Sequence, residues 1–204
     1  MILAGVAALV LAWRVIVAGR ASVFTLLPAL HAVLGLIAIA TRPPALSGRS
    51  TVVVATAAGI GSGLALYAAT RAFLAFATRW PSFSDRVAAT YERRGARSRL
   101  LQVVLGAGIA APGEELFWRG LVSPRFQAGM PTLTGPGLAW ILWIAVNVVS
   151  QDLSIVLGAA VGGAVWAGLA VLTEGVLAPI LSHAVWTSLM LLAPPGPGRE
   201  KMPA

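Results

Sequence analysis

TVVVATAAGIGSGLALYAATRAFLA, residues 51–75, decides the fold. It is long, uniformly apolar and lacks the alternation of period two that a barrel strand requires. At 1.5 Å per helical residue, a run of 18 or more such residues crosses a hydrocarbon core about 30 Å thick. Inside it, AAGIGSGLA (57–65) gathers Gly59, Gly61 and Gly63, the small residues that let helices approach closely in lipid. Similar apolar runs recur along the chain. Their approximate limits are 2–18, 21–40, 98–112, 136–152, 154–172 and 174–193, which with 51–75 makes about seven spans. The composition agrees: 58% of the 204 residues are hydrophobic and 11% are charged, against roughly 25% charged in an average soluble domain. The fold class expected is all-α, a polytopic transmembrane helical bundle lodged in a lipid bilayer.

Charge sets the expected topology. The net charge of +8 comes from basic residues placed between the apolar runs, which is where topology-setting arginines lie, so nucleic acid is not the partner. The linker at 80–99 holds Arg86, Arg93, Arg94, Arg97 and Arg99 and is expected in the cytoplasm of a bacterial-type plasma membrane. Seven spans then leave the N-terminus outside and the tail, with Arg199 and Lys201, inside; Arg42 and Arg49 fall on the opposite side. Three regions follow: N-terminal helices with the basic linker (1–97), a second set of helices (98–192), and a Pro/Gly-rich tail (193–204) expected to be disordered. The chain has no cysteine, which excludes disulfides and thiolate metal sites. The first run lacks a basic start and reads as a retained helix.

Few polar residues interrupt the hydrocarbon, and each requires a reason, because a charge near the bilayer centre costs about 2.5–3.5 kcal/mol. In APGEELFWRG (111–120), Glu115 and Arg119 are four apart and share a helix face, so they can pair. Glu114 points about 100° away and is left for chemistry. The other reading is a helix end at the interface with solvated charges, supported by the break expected at Pro112–Gly113. In LSHAVWTSLM (181–190), His183 and Thr187 share a face, as either a structural hydrogen-bond pair or part of a site. Asn147 reads as interhelical glue. His31, without charged neighbours in sequence, reads as structural, and Gln151, Asp152 and Glu174 read as interfacial.

Taken together, these segments resemble the CPBP group of intramembrane proteases, which includes the CAAX prenyl endopeptidases and proteins linked to bacteriocin processing and self-immunity. EELFWR fits that family's EExxxR motif, and the stretch from Val156 through APILSHAVW looks like its Gly-rich helix followed by an HxxxN-type helix. The resemblance covers roughly 98–192. It implies that Glu114 is the general base that activates a water, that Glu115 and Arg119 form a structural ion pair, and that His183 helps hold the water. Two positions depart from the family. Trp143 and Asn147 occupy the FxxxH motif, and Thr187 replaces the asparagine of the last motif. Asn147 donates hydrogen bonds but cannot titrate as histidine does.

The function implied is an intramembrane endopeptidase acting on a membrane-embedded or prenylated peptide, with catalytic residues Glu114, His183, Asn147 and Thr187, no cofactor and no metal. A catalytic zinc takes three protein ligands, and only Glu114 and His183 stand ready. Two alternatives remain: a catalytically impaired family member that binds or regulates, and an unrelated channel or transporter subunit.

Overall fold

The computed structural model describes residues 1–80, 84–85, 97–131 and 133–194. Arg86, Arg93 and Arg94 of the basic linker, and the tail from 195 on with Arg199 and Lys201, lie outside the described residues. Among the described residues, seven helices of 15 residues or more follow in order: α1 Ile2–Val17, α2 Val23–Thr41, α3 Val52–Ala77, α4 Arg99–Gln127, α5 Thr134–Val148, α6 Leu153–Thr173 and α7 Leu177–Leu192. There is no strand among the described residues. Four of the helices, α2, α3, α4 and α6, are long and apolar enough to cross a membrane. The shorter apolar helices α1, α5 and α7 complete an all-α bundle.

α4 corrects the sequence reading. Its span was expected to end at 112, yet the helix continues through Pro112–Gly113 to Gln127. Wider π turns at Val104–Ala110 and Leu116–Val122 flank the short α segment Ala111–Glu115. A π turn bonds i to i+5 instead of i+4. That shift accommodates a proline, which has no N–H to give and whose ring crowds the preceding turn. The glutamates therefore sit inside a helix within the bundle, not at a solvated end.

The starts of α3 and α6 carry side-chain caps. Thr51 accepts from Val54 N at 3.2 Å, and Asp152 accepts from Ser154 N at 2.9 Å. Asp152, expected at the interface, is buried at this cap. Pro179 falls in the first turn of α7, where its missing donor is harmless. The carbonyl of Gly175, left without that donor, accepts from Thr173 Oγ1 at 3.3 Å.

Close packing comes from the small residues. α3 lies along α7, with Gly59 and Gly63 at the contact. A Cβ at Gly59 would sit 2.7 Å from the Ala178 carbonyl oxygen, and one at Gly63 2.7 Å from that of Ser182. Side-chain bonds lock the same pair: Trp186 Nε1 donates to Thr70 at 3.1 Å, and the Tyr67 hydroxyl to the Ala193 carbonyl at 2.6 Å. The segment between α2 and α3 folds back on the α6–α7 turn, where Val176 N and Leu177 N donate to the carbonyls of Ala45 and Leu46. Arg97, just before α4, is tied to the start of α2 by donating to Ser22 and Thr25, each at 2.7 Å.

These contacts predict opposite outcomes for neighbouring glycines. Gly63→Leu wedges α3 from α7 and is expected to cost about 1–3 kcal/mol, the usual penalty of overpacking. Gly61 has nothing within 4 Å of an added Cβ. Gly61→Ala should change stability by less than about 1 kcal/mol, in the stabilising direction, because alanine favours helix. Thermal unfolding in detergent, followed by tryptophan fluorescence, separates the two.

Candidate active site

Glu114 and Glu115 are adjacent in α4, so they point in directions about 100° apart and meet different surroundings. Glu115 points into the protein and is 0% exposed. Its Oε1 accepts from Arg119 Nη1 at 3.2 Å and lies 2.9 Å from His183 Nδ1 on α7. Arg119 also donates through Nη2 to the Gly163 carbonyl on α6 at 3.1 Å. Its guanidinium lies 4.7 Å from the Trp143 ring centroid and 5.9 Å from that of Trp166. A buried cation is thus matched by one carboxylate, one carbonyl and two aromatic faces. His183 is fixed on two sides. Its ring stacks on Trp166 at 3.6 Å between centroids and 14° between planes, while Nδ1 faces Glu115. Held in that way, the imidazole keeps Nε2 as its second polar atom.

Glu114 points into a cavity of about 590 Å³. All seven helices contribute to its wall, which is mostly aliphatic and aromatic. His31, Glu114, Asn147 and His183 supply polar groups there. Glu114 Oε1 accepts from Trp143 Nε1 at 2.5 Å and stands 3.9 Å from His31 Nε2. Asn147, one turn beyond Trp143 on α5, donates through Nδ2 to the Trp143 carbonyl at 2.9 Å.

The structure therefore brings Glu114, Asn147 and His183 to one cavity. Thr187 is not on its wall. It turns towards α4, where its methyl would meet a Cβ on Gly106 at 3.4 Å. The α7 residues that do line the cavity are His183, Trp186 and Met190. The face of α7 that carries His183 thus continues through the i+3 and i+7 positions, leaving i+4 to one side.

Three contacts escaped the sequence reading. His31, read as structural, lines the cavity beside Glu114. The signal that points to it is the rarity of ionisable groups in membrane helices, since one that is present is by default functional. The Trp143 indole, absent from a phenylalanine, supplies a donor to Glu114. The Glu115–His183 contact joins α4 to α7 across 68 residues and has no local signature.

α2 reaches Glu114 because of two glycines. A Cβ on Gly113 would collide with the His31 carbonyl, and one on Gly35 would sit 2.8 Å from Gly113 Cα. The backbones of α2 and α4 therefore touch at the turn that carries Glu114. Among the described residues, no group of three His, Cys, Asp or Glu has the arrangement of a metal site.

Removing one member of a buried pair leaves the other charge uncompensated, at a cost of about 3–5 kcal/mol. Arg119→Ala is expected to lose about that much stability, and Glu115→Leu a similar amount. An unfolding midpoint for Arg119→Ala within a degree of wild type would show that the pair carries no structural weight.

Residues 96–189 match the family model of the type II CAAX prenyl endopeptidases, Rce1-like. No curated protein and no solved structure matched the chain. The matched segment contains α4 through most of α7, hence Glu114, Glu115, Arg119, Asn147 and His183, while His31 lies outside it. Its long apolar helices make the chain an integral membrane protein, and its segment 96–189 is similar to the CAAX prenyl endopeptidases of the CPBP type.

Proposed function

We propose that the protein is an intramembrane endopeptidase in which Glu114 activates a water to attack a peptide bond. The observation that carries this reading is the split between the two glutamates. Glu115 is enclosed, with Oε1 engaged by Arg119 and His183, whereas Glu114 faces a cavity with a second polar wall. A carboxylate in such a position takes a proton from water as the oxygen attacks a carbonyl carbon, and that proton ends on the departing amine. His183, oriented through Nδ1 by Glu115, directs Nε2 as donor or acceptor, much as a carboxylate fixes a catalytic histidine elsewhere. Asn147 uses one amide hydrogen on the Trp143 carbonyl, and its second serves as a donor to the developing oxyanion. Thr187, off the cavity wall, takes no part in this scheme.

The apolar wall suits a membrane-embedded or prenylated peptide, whose hydrocarbon would fill the space that water leaves. The protein would lie in a bacterial-type plasma membrane with its N-terminus outside and C-terminus inside, as the arginine-rich linker argues.

One observation favours a second reading, a family member that binds or regulates without cleaving. The Trp143 indole occupies an acceptor position on the group that would serve as base. The two readings separate in a cleavage assay of purified protein against transmembrane and prenylated peptides. We expect wild type to cleave and Glu114→Ala to lose at least about 100-fold in kcat, the lower end of what a general base contributes. Equal cleavage by both would remove Glu114 as the base. Cleavage by neither, with activity appearing in Trp143→Phe, would establish that the indole holds Glu114 out of action.

A further inference from the structure

We propose that His31, on α2 and outside the family-matched segment, is the second catalytic imidazole of the cavity, shuttling the proton that Glu114 takes from water. The proposal rests on the hydrolytic reading above.

Its Nε2 stands 3.9 Å from Glu114 Oε1. That is too long for a direct hydrogen bond and short enough for one water to touch both atoms. Both side chains are nearly enclosed, at 6% and 14% exposure, so a molecule between them is confined. The other imidazole is differently employed. His183 has Nδ1 on Glu115 and a face on Trp166, which fixes the ring as an orienting group. α5 offers no alternative proton carrier, because Asn147 does not titrate near neutrality. His31 is thus the titratable group that faces Glu114 across the cavity.

Its position is built, not incidental. Gly113 and Gly35 allow α2 to press its backbone on the turn carrying Glu114, and the His31 carbonyl is the atom that Gly113 meets. The titratable groups facing His31 from neighbouring helices are Glu114 and Glu115 on α4 and His183 on α7.

The chemistry balances as follows. Glu114 removes one proton from water while the water oxygen bonds to the carbonyl carbon, whose π pair moves to its oxygen. The proton passes from Glu114 to His31 Nε2 by way of a water that touches both atoms. As the carbonyl re-forms, the C–N bond breaks and its electron pair stays on nitrogen, which receives the proton from His31. The products are a carboxylic acid and an amine; Glu114 is again ionised and His31 neutral.

The chain has two histidines, so protein labelled with [15N]histidine gives two sets of ring signals, assigned with His31→Gln and His183→Gln. We expect Glu114→Gln to move the titration midpoint of the His31 signals and leave those of His183 nearly unchanged, with Glu115→Gln doing the reverse. In the peptide assay, His31→Gln should lower kcat about 100-fold or more with KM within about twofold, the size expected of an acid–base group. An unchanged melting temperature for His31→Gln checks that the loss is chemical. Wild-type kcat in His31→Gln overturns the proposal and leaves the Glu114 reading standing. A His31 signal indifferent to Glu114→Gln overturns it as well. Cleavage that does not depend on Glu114 overturns both.

Discussion

The fully buried Glu115 carboxylate constrains everything around it. A charge enclosed by hydrocarbon must be matched by partners in the same place, because the penalty for leaving it bare is several kcal/mol. Here the partners come from three helices: Arg119 from α4 itself, His183 from α7, and through Arg119 the Gly163 carbonyl of α6. Sliding any one of them by a turn would strand a charge. The same contacts that close the bundle therefore fix the imidazole, so packing and site formation are one event. Such a cluster contributes more to register than to net stability, since the attraction mainly offsets the cost of removing both ions from water.

The departure of α4 from regular geometry belongs to the same logic. Two adjacent glutamates in a helix project about 100° apart. One can satisfy Arg119 and His183 while its neighbour faces open space, provided that the helix runs through the middle of the protein. The π turns on either side of Ala111–Glu115 carry it past Pro112 without an end. Gly113 then does for α2 what Gly59 and Gly63 do for α7: it removes the side chain where another backbone must approach. The result is a short segment, Pro112–Gly113–Glu114–Glu115, in which each residue has a separate task.

Hydrocarbon content made the bundle legible, because an apolar run of sufficient length has few other uses. The extent of α4 was not, since Pro–Gly followed by two acids resembles a helix end, and π turns have no pattern in residue type. Within the site, spacing was informative only where both partners share one helix. Glu115 with Arg119 is such a case, and their contact is at 3.2 Å. His183 and Thr187, four apart, share a face in an ideal helix, but the cavity meets a narrower stripe than that face and reaches His183 alone of the two. His31 was hidden for another reason. Its partner lies 83 positions away, reached through a glycine contact between helices that no local pattern encodes.

The two substitutions on α5 look like losses when read one at a time, yet in space they act together. Asn147 returns one amide hydrogen to the Trp143 carbonyl, which ties its side chain to its own helix and leaves the second hydrogen for the cavity. Trp143 fills the adjacent space with a ring that serves Arg119 through its face and Glu114 through its N–H. The indole bond does not by itself disarm the carboxylate. A carboxylate has about four acceptor positions, and one donor on Oε1 leaves the others for water. What the bond does is hold Glu114 in one orientation. In a cavity walled largely by aliphatic groups, a carboxylate free to rotate would spend much of its time away from the other polar groups of the wall. Fixing it there is the kind of preorganisation on which a site with few polar groups depends.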